Sequence, residues 1–71
     1  MAKKKTISDA EFIEMVNNML EFLTPKQLCE DPLGSPYYDV VAWSEGRDLP
    51  TGDDRTTLYE LMQHSDVWDD M

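Results

Sequence analysis

The sequence predicts an all-α fold, a small four-helix domain with a flexible basic N-terminus and an acidic C-terminal tail. Three observations predict it. Residue pairs typical of helix starts recur along the chain, apolar residues repeat at helical spacing, and no segment alternates convincingly with the period of a strand. With 71 residues, the chain suffices for one domain with a small core. We assign residues 1–7 to the N-terminus, 8–64 to the helical domain and 65–71 to the tail.

The first helix is predicted from Ser8 and Glu11, which are spaced as a capping box. In this arrangement each side chain accepts a hydrogen bond from a backbone N–H that has no partner at the start of the helix. A stripe of apolar residues at helical spacing follows: Phe12, Met15, Val16, Met19, Leu20 and Leu23. This segment is therefore expected to be one amphipathic helix with its apolar side in the core.

The second helix is predicted from the letters TPKQ, in which Thr24 is the cap, Pro25 takes the first helical position and Gln27 completes a second capping box. It must be short. A residue that precedes proline is driven out of the helical conformation, so Pro32 predicts an end near Glu30.

The third helix is predicted to start after Ser35, its cap, with Pro36 at the first helical position and two turns over residues 37–44, and Gly46 is predicted to close it as a left-handed C-cap. A last helix follows, capped by Thr51 or Asp53 and carrying an apolar face of Leu58, Leu61 and Met62 with Tyr59 beside it. Two short helices joined by a turn, between two longer helices, predict a helix-turn-helix unit.

Charge argues against direct DNA binding before any motif is considered. The chain has a formal charge of −9, and residues 6–71 carry 3 positive against 15 negative side chains, a net charge of −12. Affinity for duplex DNA comes largely from Lys and Arg side chains that displace counterions from phosphates. An anionic body instead favours encounter with a basic protein surface.

The letters LTPKQLCEDPLGSPYYDVVAWSEGRDLP resemble the helix-turn-helix of the lambda-repressor-like, or Cro/Xre, family. The matching residues are Leu23, Thr24, Gln27, Leu28, Cys29 (where the family prefers Ala), Gly34, Val40, Trp43, Gly46, Arg47 and Pro50. The resemblance implies that Gly34 is the turn glycine and that Val40 and Trp43 lie in the recognition helix. We expect Trp43, the largest apolar group of the unit, to anchor that helix in the core.

Two departures from the family pattern bear on function. The span that precedes Gly34 is one residue longer than usual and contains Pro32, which predicts an altered turn. In addition, no Arg, Lys, Asn or Gln occurs from Gly34 to Gly46, although these are the side chains that read base edges in the major groove. The resemblance therefore predicts the scaffold of a DNA reader without its reading residues.

Eight residues are candidates for contact with a protein partner. Those in and after the recognition helix are Tyr37, Tyr38, Asp39, Glu45 and Asp48, and those in the tail are Trp68, Asp69 and Asp70. They combine aromatic surface with negative charge, which suits a basic protein surface. For Trp68 two alternatives stay open, since its ring either docks on a partner or folds back on the core.

The chain as a whole also resembles the small regulators that lytic phages make against the RNA polymerase of their host bacteria, in particular the kind encoded by a Xanthomonas phage. The resemblance implies binding to the polymerase or its sigma factor, inhibition of transcription initiation and a part in antitermination, in the host cytoplasm. The sequence has no phosphate loop, zinc spacing or calcium loop, so we expect neither an enzyme nor a cofactor. His64 and Cys29, the single histidine and cysteine, fall short of a zinc site, and we expect Cys29 to be a small core residue.

Two other functions remain as alternatives. The first is a Cro/Xre-type DNA-binding repressor, whose phosphate contacts would be Lys3, Lys4, Lys5, Arg47 and Arg55. The second is an acidic interaction module, either an antitoxin or a nuclease inhibitor that mimics the charge of DNA. No apolar run is long enough to span a membrane, and a single cysteine agrees with a reducing cytoplasm. The sequence does not specify an oligomeric state.

Overall fold

The computed structural model describes residues 6–31 and 33–70, without the side chains of residues 69 and 70. This part of the chain contains four α-helices and no strand: α1 (Asp9–Met19), α2 (Pro25–Glu30), α3 (Tyr37–Ser44) and α4 (Gly52–Gln63). A 3₁₀ helix (Asp66–Asp70) follows α4. The predicted all-α class and the number of helices are confirmed. None of the helices described is both long enough and apolar enough to cross a bilayer.

Both predicted capping boxes are present. Ser8 Oγ accepts from the N–H of Glu11 at 3.1 Å, and the Glu11 carboxylate accepts from the N–H of Ser8 at 3.1 Å. At α2, Thr24 Oγ1 accepts from the N–H of Gln27 at 3.2 Å, and the Gln27 side-chain oxygen accepts from the N–H of Thr24 at 2.9 Å. The predicted starts of α1 and α2 and the predicted end of α2 at Glu30 are therefore confirmed. The predicted continuation of the first helix to Leu23 is wrong, because α1 ends at Met19 and turn bonds such as Phe22 N–H to the Met19 carbonyl follow it.

The predicted start of α3 is wrong in detail. Pro36 is the N-cap, with an extended backbone (φ −60°, ψ 144°), and no side chain caps the helix. Ser35 is held by other contacts, because its N–H donates to the carbonyl of Cys29 at 2.8 Å, at the end of α2. At α4, Thr51 takes the cap position without a side-chain bond, and Asp53 lies in the first turn.

Gly46 ends α3 as predicted. Its φ of +82° lies in the left-handed region that residues with a Cβ resist. Its N–H donates to the Trp43 carbonyl at 3.0 Å, and the N–H of Arg47 donates to the Ala42 carbonyl at 2.8 Å. This pair of bonds is a Schellman motif, which satisfies carbonyls left open at the helix end.

The core lies where α1 packs against α3 and α4, with α2 packed against α3. Its fully buried side chains are Phe12, Val16, Met19, Leu28, Val40 and Met62. Trp43 is only 5% exposed and meets Phe12 edge-on with ring centroids 5.6 Å apart, so its predicted role as the anchor of α3 is confirmed. Cys29 is also buried as predicted, and its thiol donates to the Lys26 carbonyl at 2.9 Å.

Candidate protein-interaction surfaces

One side of α3 is covered by the core and the other side carries two exposed aromatic rings. Tyr37 is 52% exposed and Tyr38 is 73% exposed. Residues three and four positions apart share a side of a helix, so Tyr37, Val41 and Glu45 form a row and Tyr38 lies beside Val41. We call these four residues the α3 outer face. The structure thus brings together three of the predicted contact residues.

Asp39 is not part of that face. It lines a hollow of about 340 Å³ between α3 and α4, together with Trp43, Pro50 and Asp54. Asp39 is half-buried as a residue, whereas Glu45 at the other end of α3 is exposed. Of the two predicted acidic contacts within or next to α3, Glu45 is therefore the one that extends the surface of the tyrosines.

Asp48 lies in the loop after α3 and has an exposed side chain. Its φ of +52° is unusual for a residue other than glycine, although aspartate tolerates this region better than most. Its carbonyl accepts the indole N–H of Trp43 at 3.0 Å, so the buried ring fixes the course of the loop. The Asp48 carboxylate therefore stays at the exit of α3.

Arg47, one of the alternative phosphate contacts, is paired with its neighbour. Its Nε and Nη2 donate to the Glu45 carboxylate at 2.9 and 2.5 Å. The pKa of Arg47 is raised, first by this hydrogen bond and then by the negative charges of Glu45 and Asp48. At the end of α3 the Arg47 cation is therefore bound to Glu45 and also attracted by the charge of Asp48.

Arg55, the other alternative phosphate contact of the helical domain, is turned inward. Its Nε donates to the Pro50 carbonyl and its Nη1 to the Ile7 carbonyl, both at 2.8 Å. Its Nη2 lies 2.6 Å from Asp9 Oδ1, and its side chain is only 14% exposed. The guanidinium joins the start of α1 to the start of α4 and presents little surface to any ligand.

For Trp68 the structure has the ring folded back on the chain. Its indole N–H donates to the Met62 carbonyl at 2.8 Å, and the ring meets Phe22 edge-on with centroids 5.4 Å apart. These contacts hold the 3₁₀ helix against the loop after α1. The side chains of Asp69 and Asp70, and all of Lys3, Lys4 and Lys5, lie outside the described residues.

A groove between α2, α4 and the 3₁₀ helix was not predicted. It measures about 660 Å³. Its apolar residues are Leu23, Leu61 and Val67, and its acidic residues are Glu30, Asp31, Glu60 and Asp66. His64, which ends α4, also lines it. The sequence gives the composition of each segment but not how α2 and α4 are placed relative to each other, so no local signal identifies this groove.

No group of three His, Cys, Asp or Glu side chains in the described part of the chain is arranged to hold a metal ion. The chain matches no protein family, no curated protein and no solved structure. Any assignment of function therefore depends on the geometry and charge of these surfaces.

Proposed function

We propose that the protein is a phage regulator of transcription, which binds bacterial RNA polymerase or its sigma factor through the α3 outer face. It would inhibit initiation in the host cytoplasm and promote antitermination. One observation carries the proposal: two largely exposed tyrosines and an acidic end occupy the side of α3 where a DNA reader would present basic or amide side chains. In this proposal α2, α3 and the connection between them form a helix-turn-helix unit.

The composition of the face supports contact with a protein. Tyrosine gives a large, rigid and amphipathic contact area, and it is enriched among the residues that contribute most to binding at protein interfaces. Val41, which is half-buried, follows Tyr37 by four residues and Tyr38 by three, so it lies on the same side of the helix. Such an aromatic cluster suits a partner with an apolar patch at its centre.

The charge around the face supports a basic partner. Glu45 and Asp48 are exposed at the end of α3, and although Glu45 is paired with Arg47, the body has a net charge of −12 over residues 6–71. Charge of one sign accelerates encounter with a surface of the opposite sign and discourages contact with phosphates. The surfaces on which RNA polymerase holds DNA are basic for the same reason, since they must attract phosphates.

The pairing of the two arginines also favours a protein over DNA. The Cro/Xre-type repressor needs Arg47 and Arg55 for phosphate contacts. Arg47 is bound to Glu45, and Arg55 is bound to Ile7, Pro50 and Asp9. To contact phosphates, each guanidinium would have to leave partners that it already has.

Inhibition follows from competition in this scheme. When the α3 outer face occupies a basic site of the polymerase or of sigma factor, promoter DNA or the other protein cannot occupy the same site. Because screening by salt weakens the attraction between exposed charges, the affinity should fall as ionic strength rises. The aromatic contacts should persist at ionic strengths at which the electrostatic contribution is small.

We expect the full chain to co-migrate with bacterial RNA polymerase holoenzyme in gel filtration, and the double variant Tyr37→Ala/Tyr38→Ala to bind at least about tenfold more weakly. Truncation of an aromatic residue at the centre of an interface costs about 1 to 2 kcal/mol or more. Both rings are exposed, so the fold should persist, which circular dichroism would check. Affinity is measured by surface plasmon resonance on immobilised polymerase.

Charge reversal separates the face from the rest of the surface. Glu45→Lys should weaken binding more than Asp39→Lys, and Glu14→Lys, which makes the same charge change at an exposed position of α1, should weaken it least. Full binding by the tyrosine variant would remove the α3 outer face from the proposal.

A pull-down from bacterial lysate that returns a toxin or a nuclease, and no polymerase subunit, would favour the antitoxin or inhibitor instead. A discrete low-salt gel-shift band would favour the repressor.

A further inference from the structure

The groove between α2, α4 and the 3₁₀ helix has an apolar floor. Leu61 is 41% exposed although it belongs to the apolar face predicted for α4. Leu23 and Val67 lie beside it and are only partly covered. Apolar side chains that remain in contact with water inside a concave surface are typical of binding grooves.

Four carboxylate residues also line the groove, and we call them its rim. Glu30 and Asp31 come from the end of α2, Glu60 from α4 and Asp66 from the 3₁₀ helix, and all four are exposed. Among the residues described, no Lys or Arg lines the groove. The charge of the rim is therefore not neutralised from within, unlike that of Glu45 beside Arg47.

The wall formed by the 3₁₀ helix is held in place by Trp68. The indole N–H of Trp68 donates to the Met62 carbonyl at 2.8 Å, and its ring meets Phe22 at 5.4 Å. Val67 and Asp66 are the two preceding residues and both line the groove. The tail thus completes one side of the groove.

We propose that this groove binds a basic amphipathic helix of a protein partner. Apolar side chains on one side of the helix would contact Leu23, Leu61 and Val67, and Lys or Arg side chains flanking them would reach the carboxylates on the rim. An apolar stripe that enters a groove between helices is a common mode of peptide recognition. The volume of about 660 Å³ is ample for several side chains. This site is separate from the α3 outer face and does not depend on the polymerase.

The combination of charge and apolar surface in the groove favours a basic amphipathic helix over other ligands. A nucleic acid would meet four carboxylates, and an acidic or neutral helix would leave them without partners. An extended basic segment without an apolar stripe would leave the floor exposed to water. Only a segment with both features matches the floor and the rim together.

The test uses the full chain and a fluorescein-labelled peptide of about 15 residues, with leucines three and four residues apart and lysines elsewhere. A shuffled peptide of the same composition, in which the leucines do not form a stripe, is the control for charge alone. Fluorescence anisotropy should give saturable binding that is at least about tenfold tighter for the amphipathic peptide. Amide shifts in NMR spectra should change most near Leu23, Leu61 and Val67.

Matched variants then locate the site. Glu30→Gln with Glu60→Gln should weaken peptide binding about fivefold, because two exposed charge pairs are lost. Glu14→Gln with Asp53→Asn removes the same charge outside the groove and should change the affinity less than about twofold. Leu61→Asn alters the floor and keeps the charge, and it should also weaken binding.

Three results would overturn the proposal. The first is equal binding of the shuffled peptide, which would reduce the interaction to charge alone. The second is equal weakening by the groove and control variants. The third is a set of shift changes around Tyr37 and Tyr38 in place of the groove. Because polymerase takes no part in this experiment, its outcome is independent of the function proposed above.

Discussion

Trp43→Ala is expected to lower the free energy of unfolding by about 3 to 5 kcal/mol. A domain of 71 residues is stabilised by only about 4 to 10 kcal/mol, so the variant should lose a large fraction of its stability. The ring is 5% exposed, meets Phe12 edge-on at 5.6 Å and donates to the Asp48 carbonyl at 3.0 Å. Its removal leaves a cavity between α1 and α3 and a loop carbonyl without its donor. Urea denaturation followed by far-UV circular dichroism measures the loss.

Trp43→Phe is the control that separates the two contributions. It keeps an aromatic ring against Phe12 but has no N–H for the Asp48 carbonyl, so we expect a smaller loss of about 1 to 3 kcal/mol. The alanine variant should lose clearly more than the phenylalanine variant. If Trp43→Ala unfolded at the same urea concentration as the unmodified protein, the ring would not be the anchor of α3.

Helix ends determined by neighbouring residues were predictable from the sequence. The boxes of Ser8 with Glu11 and of Thr24 with Gln27 need only residues three positions apart, and the left-handed turn at Gly46 needs only the absence of a Cβ. These signals act before any tertiary contact forms. The starts of α1 and α2 and the end of α3 therefore follow from local chemistry.

The start of α3 was not predictable in this way, because a tertiary contact decides it. Ser35 has the composition of a cap, but its N–H is bonded to the Cys29 carbonyl of α2 and Pro36 takes the cap position. The tail is a similar case. Trp68 is folded back because its indole bonds the Met62 carbonyl and its ring meets Phe22. The sequence next to Trp68 does not specify either partner.

The two candidate surfaces also differ in how far the sequence predicts them. Tyr37, Tyr38 and Glu45 lie on one helix, so helical spacing alone groups them, and the same spacing separates Asp39 from them. Glu30 of α2 and Glu60 of α4 both line the groove, and they come together only because α2 packs on α3 while α3 and α4 pack on α1. Contacts within one helix can be predicted from its sequence, whereas sites shared by two helices require their relative placement.

Arg55 is a residue whose structural role depends on tertiary packing, because its side chain joins parts of the chain that are far apart in sequence. Its guanidinium donates to the Ile7 carbonyl, 48 residues away, and to the Pro50 carbonyl, both at 2.8 Å. It also lies 2.6 Å from Asp9 Oδ1, although Asp9 is largely exposed and the ion pair itself contributes little. The two bonds to carbonyls hold the start of α1 and the loop before α4 on one side chain.

Arg55→Ala is accordingly expected to lower the free energy of unfolding by about 2 to 4 kcal/mol, since each hydrogen bond from a charged donor is worth about 1.5 to 3 kcal/mol and water replaces part of the loss. Arg47→Ala removes the same charge from an exposed guanidinium and should leave the urea midpoint nearly unchanged. Arg55→Lys keeps the charge but cannot reach both carbonyls with one planar group, so its stability should fall between those of Arg55→Ala and Arg47→Ala.

A stable Arg55→Ala protein that no longer binds its partner would instead make Arg55 a contact residue, as the DNA-binding repressor requires. Loss of stability in Arg55→Ala but not in Arg47→Ala would assign Arg55 to the fold.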